Sequence, residues 1–308
     1  MSAPKQSRPA LERVARGPLS PLRYPGGKSW FLSTARTWLK NQPRRPAVLV
    51  EPFAGGAGVS LAAANESLVD EVAFAERDAD VAAIWKTVLN GEANWLARRI
   101  RSFRIARKRV EALLAEKPAT RRHRAFQCLL RNRTARGGVI TDGAGLIREG
   151  EDGQGLKSRW YPKTLAARIA TISSIRKKLS FTEGDGFRLI KKFLHRKTVV
   201  FFVDPPYTKA ARRLYRHWDI NHEQLFRLLS HAKGDVLMTY DDTSEIRALA
   251  AKYGFQFRRI SMRTTHHQKK RELMIARSFS WRKAARTVPR QGRHAEKAVC
   301  KVNLLVSC

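Results

Sequence analysis

Asp204-Pro205-Pro206-Tyr207 follows directly on the most apolar stretch of the chain, Thr198 to Val203 (TVVFFV). An acid closing a strand before two turn-forcing prolines has a purely structural account. That account does not explain why an acid, two rigid residues and an aromatic ring stand together at a sheet's carboxyl edge. A chemical account covers all four. An aryl amino group is a poor nucleophile because its lone pair is delocalised into the ring. A carboxylate and a rigid backbone carbonyl can accept its two N–H bonds and favour the pyramidal geometry that attack requires. An adjacent ring can stack on a base flipped out of a duplex.

A second group of residues has the character of a nucleotide site. Glu51-Pro-Phe-Ala-Gly-Gly-Ala-Gly58 follows an apolar run and opens a helical pattern, and its small residues allow close backbone approach to a ligand. Glu76 lies at the tip of the next apolar run, where an acid can accept both hydroxyl hydrogens of a ribose. Together these point to an adenosine-containing cofactor without selecting one. Gly26-Gly27-Lys28-Ser29 has the end of a phosphate loop, but Leu22 replaces the first glycine of that motif, which argues against an NTPase. His266-His267 lacks a third ligand at sensible spacing, so no metal is expected. No serine or cysteine stands in a GxSxG or Cys–His context that would indicate nucleophilic catalysis.

The elements that must position these residues alternate in type. Ala47 to Val50 and Val72 to Ala75 read as buried strands, and Val59 to Ala64 and Asp80 to Leu89 as helices. That βαβα unit calls for an α/β fold with a parallel sheet. From about Trp95 the character changes. Trp95 to Leu114 is basic and helical, with Leu96, Ile100, Phe103 and Val110 as its apolar stripe, and a polar, glycine-rich loop runs from Gly137 to Gly155. Beyond Pro162 the α/β rhythm returns: Leu165 to Leu179 as helix, Val199 to Val203 as strand, His222 to His231 as helix and Val236 to Thr239 as strand. Phe255 to Met262 and Glu272 to Phe279 suggest a closing antiparallel hairpin. The chain thus divides into a basic arm at 1–20, a core at 21–90 and 163–280, an insert at 91–162 and a basic tail at 281–308.

The chain has 308 residues, 61 Lys and Arg against 26 Asp and Glu, and a formal charge of +35. Such an excess fits a polyanionic partner, with nucleic acid ahead of an anionic membrane surface; an Arg-rich proteome is the alternative cause. No stretch approaches the roughly 20 apolar residues of a membrane helix, and the N-terminus lacks the apolar core of a secretory signal. Cytoplasmic residence is the resulting expectation. Cysteines 128, 300 and 308 are odd in number and widely spaced, which disfavours a disulfide framework or a zinc site.

The ordered set of segments resembles the Dam-like (alpha-group) DNA adenine-N6 methyltransferases over about residues 21 to 280. Arg23-Tyr-Pro-Gly-Gly-Lys28 resembles the family's aromatic-x-Gly-Gly-Lys segment, EPFAGGAG its cofactor loop and DPPY its catalytic motif, while Lys270-Arg-Glu-Leu-Met-Ile275 resembles a late strand of the group. The resemblance implies a Rossmann-like S-adenosylmethionine-dependent methyltransferase core, with a mostly parallel seven-stranded sheet that has one antiparallel strand near its edge, and an inserted α-helical DNA-recognition subdomain. It implies S-adenosyl-L-methionine as cofactor, contacted by Tyr24, Lys28, Glu51, Phe53, Gly55, Glu76, Asp185 and Asp204. Catalysis is carried over to Asp204, Pro205, Pro206 and Tyr207. Leu130-Arg-Asn132-Arg133 resembles the family's Asn-Arg in the insert, giving Asn132, Arg133, Arg136, Arg121 and Arg124 as candidate contacts to double-stranded DNA. For any one arginine a phosphate contact is favoured over base readout. The loop departs from the family's F-x-G-x-G in placing Ala57 at the second glycine position, and Glu76 stands where Asp is common.

The implied reaction is direct in-line transfer to the adenine amino group after base flipping. Cytosine-N4 methylation shares the chemistry, although Ser is commoner there at the motif's first position. Methylation of RNA or of a glutamine amide usually begins the motif with Asn. A catalytically inactive DNA-binding relative would dispense with the intact motifs. The expected protein is a monomer with no metal and no membrane association, and a cognate restriction endonuclease is a conceivable partner.

Overall fold

Residues 18–23, 27–141, 144–150, 153–206, 219–263 and 269–284 are described by the structure, a computed structural model. Tyr24, Tyr207, His266-His267, most of the N-terminal arm and most of the basic tail lie outside the described residues. The chain enters through a 3-10 turn at Lys28–Phe31 and α1 (Leu32–Lys40), then runs β1 (Val48–Glu51), α2 (Gly58–Asn65), β2 (Glu71–Glu76) and α3 (Ala79–Thr87). The basic region follows as α4 (Ala93–Ser102), α5 (Arg107–Ala115), α6 (Arg121–Thr134) and α7 (Pro162–Ser174). The remainder is β3 (Leu179–Glu183), α8 (Gly186–Phe193), β4 (Val199–Val203), α9 (His222–Ser230), β5 (Val236–Asp241), α10 (Ser244–Lys252), β6 (Gln256–Arg263), β7 (Lys269–Ala276) and α11 (Ser280–Ala284).

Seven strands form one sheet in the order β3-β2-β1-β4-β5-β7-β6. β1 pairs in parallel with β2 (Val48 opposite Glu71) and with β4 (Val48 opposite Val199), and β4 pairs in parallel with β5 (Phe201 opposite Val236). β7 runs antiparallel to both β5 and β6. This is the mostly parallel, seven-stranded Rossmann-like α/β sheet expected above, with its antiparallel strand next to the edge.

Strand side chains alternate between two apolar layers, as the pleat requires. Leu49, Phe74, Val200 and Phe202 face one side, and Val50, Ala73, Phe201 and Val203 the other. The second face is covered by α8, α9 and α10 through Ile190, Phe226 and Ile246. The first carries α1, α2 and α3 together with the basic helices, whose Leu96, Ile100, Leu129 and Ile169 belong to the same apolar cluster as Leu49 and Phe74.

Two elements differ from the sequence expectation. The helix expected over Trp95 to Leu114 breaks at Phe103, where ψ is 112°. The Phe103 ring meets those of Phe126 and Trp160 at 5.4 and 6.0 Å between centroids, so tertiary packing overrides the helical period there. The helix expected from Leu165 to Leu179 ends at Ser174, and Leu179 opens β3. β3 is an edge strand with mostly exposed side chains, so it carries little of the apolar alternation by which strands are recognised.

Candidate active site at the carboxyl edge of the sheet

The chain order reverses between β1 and β4. Crossovers lead from β1 outward to β2 and β3, and from β4 outward to β5, which opens a crevice beyond the strands' carboxyl ends. Glu51 and Glu76 end β1 and β2, and Asp185 and Asp204 stand in the loops after β3 and β4, so the fold gathers at one edge four acids that are far apart in sequence.

The glycine loop is held in shape from below. Ala54 N–H donates to the Ala75 carbonyl at 2.9 Å, and the indole N–H of the fully buried Trp85 donates to the Gly55 carbonyl at 3.0 Å. Ala57, at the position where the family pattern has glycine, adopts the left-handed conformation (φ 49°), which costs a residue with a Cβ about 1–2 kcal/mol. Gly186, at the start of α8, lies so close to this loop that a Cβ there would sit 2.3 Å from the Pro52 carbonyl oxygen. The loops after β1 and β3 are thereby locked together, and the Phe53 and Phe187 rings meet edge to face at 6.1 Å.

Glu76 closes the other side. Its Oε2 accepts the Gly55 N–H at 3.0 Å and its Oε1 the Asp78 N–H at 2.8 Å. Burial pushes its carboxyl up to about 7, against the backbone donors that favour ionisation. Asp185 caps α8 by accepting the Phe187 N–H at 3.0 Å. An acid at a strand tip beside a tight glycine loop, with an aromatic pair alongside, suits the ribose and adenine of an adenosine-bearing ligand.

The acid of the DPPY motif sits one strand over. Lys28 Nζ lies 2.9 Å from Asp204 Oδ1 and 3.6 Å from Glu272 Oε2. The Thr239 hydroxyl on β5 donates to the same Asp204 Oδ1 at 2.7 Å. Lys28, Thr239 and Glu272 are buried, while the Asp204 side chain keeps 22% of its surface exposed at the crevice. Glu51, at the end of β1, accepts the Ser60 N–H at 2.9 Å in the first turn of α2. Burial drives its carboxyl up to about 8; the Ser60 donor and the nearby Lys28 oppose that, and Asp204 adds to it.

Among the described residues the structure therefore brings together Lys28, Glu51, Phe53, Gly55, Glu76, Asp185 and Asp204, with Pro205 and Pro206 next in chain. Thr239, Glu272, Trp85 and Phe187 were missed from sequence. Thr239 had a signal: a hydroxyl within the apolar run VLMTY.

The candidates for nucleic-acid contact separate into two groups. Arg136 is exposed. Arg121 and Arg124 lie at the surface, facing Glu92 at 2.6 Å and Asp80 at 3.8 Å. Asn132 and Arg133 are corrected: both are buried, with side chains bonded to backbone groups of residues 21, 23 and 138. Burial, together with Arg168 and Arg23 nearby, lowers the Arg133 guanidinium to about 9. An amide and a guanidinium satisfied in the interior do not present donors to a duplex groove. No helix among the described residues is long and apolar enough to cross a membrane, and none of their His, Cys, Asp and Glu form a group of three or more able to hold a metal ion.

No family model matches the chain, and no curated protein matches it in sequence. Solved structures with a similar overall course include an rRNA methyltransferase from Streptomyces viridochromogenes, 14% identical over 89% of this chain and 97% of that one, with a TM-score of 0.40. A putative class I S-adenosylmethionine-dependent methyltransferase from Listeria monocytogenes is 11% identical over 87% and 64%, with a TM-score of 0.39. The precorrin-6y C5,15-methyltransferase from Geobacter metallireducens is 8% identical over 85% and 97%, with a TM-score of 0.37. Likenesses this distant select neither substrate nor ligand. The fold assignment rests on the strand order and registers given above.

Proposed function

We propose that this protein is an S-adenosylmethionine-dependent DNA methyltransferase acting on the N6 amino group of adenine. The observation that carries the proposal is the Asp204 carboxylate at the switch-point edge, fixed by Lys28 and Thr239 and followed by two prolines and an aromatic residue. The resemblance of the surrounding segments to the Dam-like family supplies the substrate class.

In this reading Glu76 accepts the ribose hydroxyls, and Gly55 and Phe53 line the approach to the adenosine. When bound, S-adenosylmethionine would supply an electrophilic methyl group, the C–N bond made to the amine balancing the C–S bond broken and the surplus amine proton passing to solvent. Asp204 accepts one N–H of the target amine and the Pro205 carbonyl the other, directing the nitrogen lone pair at the methyl carbon. Lys28 and Thr239 keep Asp204 in that orientation, so the alignment is built before substrate arrives. Tyr24 and Tyr207 are assigned by resemblance to stacking on the flipped base.

The basic helices supply the grip on duplex DNA. Arg98, Arg101, Arg104, Lys108 and Arg109 are exposed. Arg99, Arg104 and Arg109 line a cleft of about 320 Å³ between α4 and α5. Cations so placed suit phosphate contacts, which position a duplex without reading it.

The test is methyl transfer from labelled cofactor to unmethylated duplex DNA, followed by nucleoside analysis. N6-methyladenine is expected. N4-methylcytosine would keep the chemistry and overturn the base assignment. Cofactor binding with no label on DNA would overturn the DNA assignment.

A further inference from the structure

Asn132 and Arg133 have a common target. Asn132 Oδ1 accepts the Arg23 N–H at 2.8 Å, and its Nδ2 donates to the carbonyls of Arg23 at 2.8 Å and Gly138 at 2.7 Å. Arg133 donates to the Pro21 carbonyl through Nε at 3.1 Å and also through Nη2. Arg168, on α7, donates from Nη1 to the Ser20 carbonyl at 2.9 Å. Leu19 and Leu22 of the same segment are buried in the shared apolar cluster. Gly138 allows the contact to close, because a Cβ there would lie 2.5 Å from the Arg23 carbonyl oxygen.

Ordering such a segment costs backbone entropy at every residue. Here side chains of two basic-region helices offset that cost, although burying a guanidinium and an amide is itself unfavourable unless every donor finds a partner. Lys28, itself buried against Asp204, follows Arg23 by five positions in the sequence. Covalent connection over five positions limits how far Arg23 and Lys28 can part, at no more than about 3.5 Å per residue.

We propose that Asn132, Arg133 and Arg168 are positioning residues of the active site: they register residues 20–23 on the basic helices and so hold Lys28 on Asp204. The basic helices then share in setting the catalytic geometry as well as in gripping DNA. The kinetic part of this inference rests on the methyltransferase reading, whereas the placement of Lys28 does not.

Two variants loosen the strap in different ways. Asn132→Asp keeps an acceptor for the Arg23 N–H but turns a carboxylate on two carbonyls. Gly138→Ala leaves Asn132 intact and drives a methyl group against the Arg23 carbonyl. The direct readout is acetylation of Lys28 by an N-hydroxysuccinimide ester, mapped by mass spectrometry with exposed Lys40 as internal reference. In the parent Lys28 should react at least about tenfold more slowly than Lys40. In both variants, at temperatures where circular dichroism shows them folded, its rate should rise about tenfold. An unchanged Lys28 rate in the folded variants overturns the proposal, whether or not the protein methylates DNA. If the parent methylates DNA, kcat should fall about tenfold with KM for DNA within about twofold. A raised KM with unchanged kcat would mean that the strap serves DNA binding instead, and would overturn the catalytic assignment. A parent that does not methylate DNA would refute the reaction, while the labelling still decides the strap.

Discussion

Lys28 Nζ lies 2.9 Å from Asp204 Oδ1, which joins the glycine-lysine segment near the N-terminus to the acid that ends the central strand β4. The pair is made by the fold alone, since nothing in the local sequence of either residue refers to the other. Glu272 on β7 is 3.6 Å from the same ammonium, so the antiparallel strand is also tied to the carboxyl edge of the sheet.

Removing the carboxylate at Asp204 should separate chemistry from binding. Asp204→Ala is expected to lower methyl transfer by at least about 10²–10³-fold, with duplex DNA affinity by fluorescence anisotropy changing less than about threefold. Turnover at the parental rate would refute the mechanism.

Thr239→Val deletes the hydroxyl that donates to Asp204 and keeps the side chain's shape. The loss of one charge-assisted hydrogen bond, about 1.5 kcal/mol, corresponds to roughly a tenfold drop in kcat. Single-turnover rates measured beside cofactor affinity would show whether the loss falls on the chemical step; an unchanged rate would leave Thr239 a purely structural residue.

Cofactor binding should depend on pH through Glu76. Its carboxyl is raised to about 7 in the free protein, and ribose hydroxyls donate best to the ionised form. Below pH 7 the site must therefore release a proton on binding, and affinity should climb by up to about tenfold per pH unit before levelling above 7. Calorimetry in buffers of different ionisation enthalpy reads that proton directly. Glu76→Gln should bind more weakly and with a flat pH profile.

Glu51 makes a stability prediction of definite sign. Folding raises its carboxyl from the ordinary range to about 8, so between about pH 4.5 and 8 the folded chain holds a proton that the unfolded chain has lost. The stabilisation is greatest at low pH and is lost as pH rises towards 8. Glu51→Gln can still accept the Ser60 N–H without ionising. Its melting temperature should match the parent near pH 5 and exceed it near pH 8, as followed by thermal unfolding across that range.

The cleft between α4 and α5 should be visible in salt titrations. Replacing Arg104 and Arg109 by Gln is expected to weaken duplex binding about equally for all sequences. It should also reduce the slope of log affinity against log salt by about 1 for each phosphate that is no longer neutralised. A change confined to one DNA sequence would instead indicate base readout.

How far the chain could be read in advance depended on where each element's information lies. β4 was plain because all five of its residues are buried between two helical layers and therefore uniformly apolar. β3 was hidden because an edge strand has no such requirement. Glu51, Glu76 and Asp204 stand out as candidates because each lies at the carboxyl end of a strand, a position that local sequence reveals. Thr239 and Glu272 act across strands, and Asn132 and Arg133 looked like surface groups in a run of cations. Only the folded contacts distinguish a buried arginine bound to Pro21 from an exposed one.

Leu96, Ile100, Leu129 and Ile169 of the basic helices pack in one continuous apolar cluster with Leu49, Phe74 and Phe202 of the sheet. A segment so embedded is not a detachable module. Chimeras that graft the helices of a relative onto this sheet would inherit mismatched volumes along the whole seam, at several kcal/mol per ill-fitting large side chain. Under the proposed DNA reading, new target preferences are therefore reached more readily by single exchanges on the outward faces of α4, α5 and α6, where side chains change without disturbing the interior, than by transplanting the region whole.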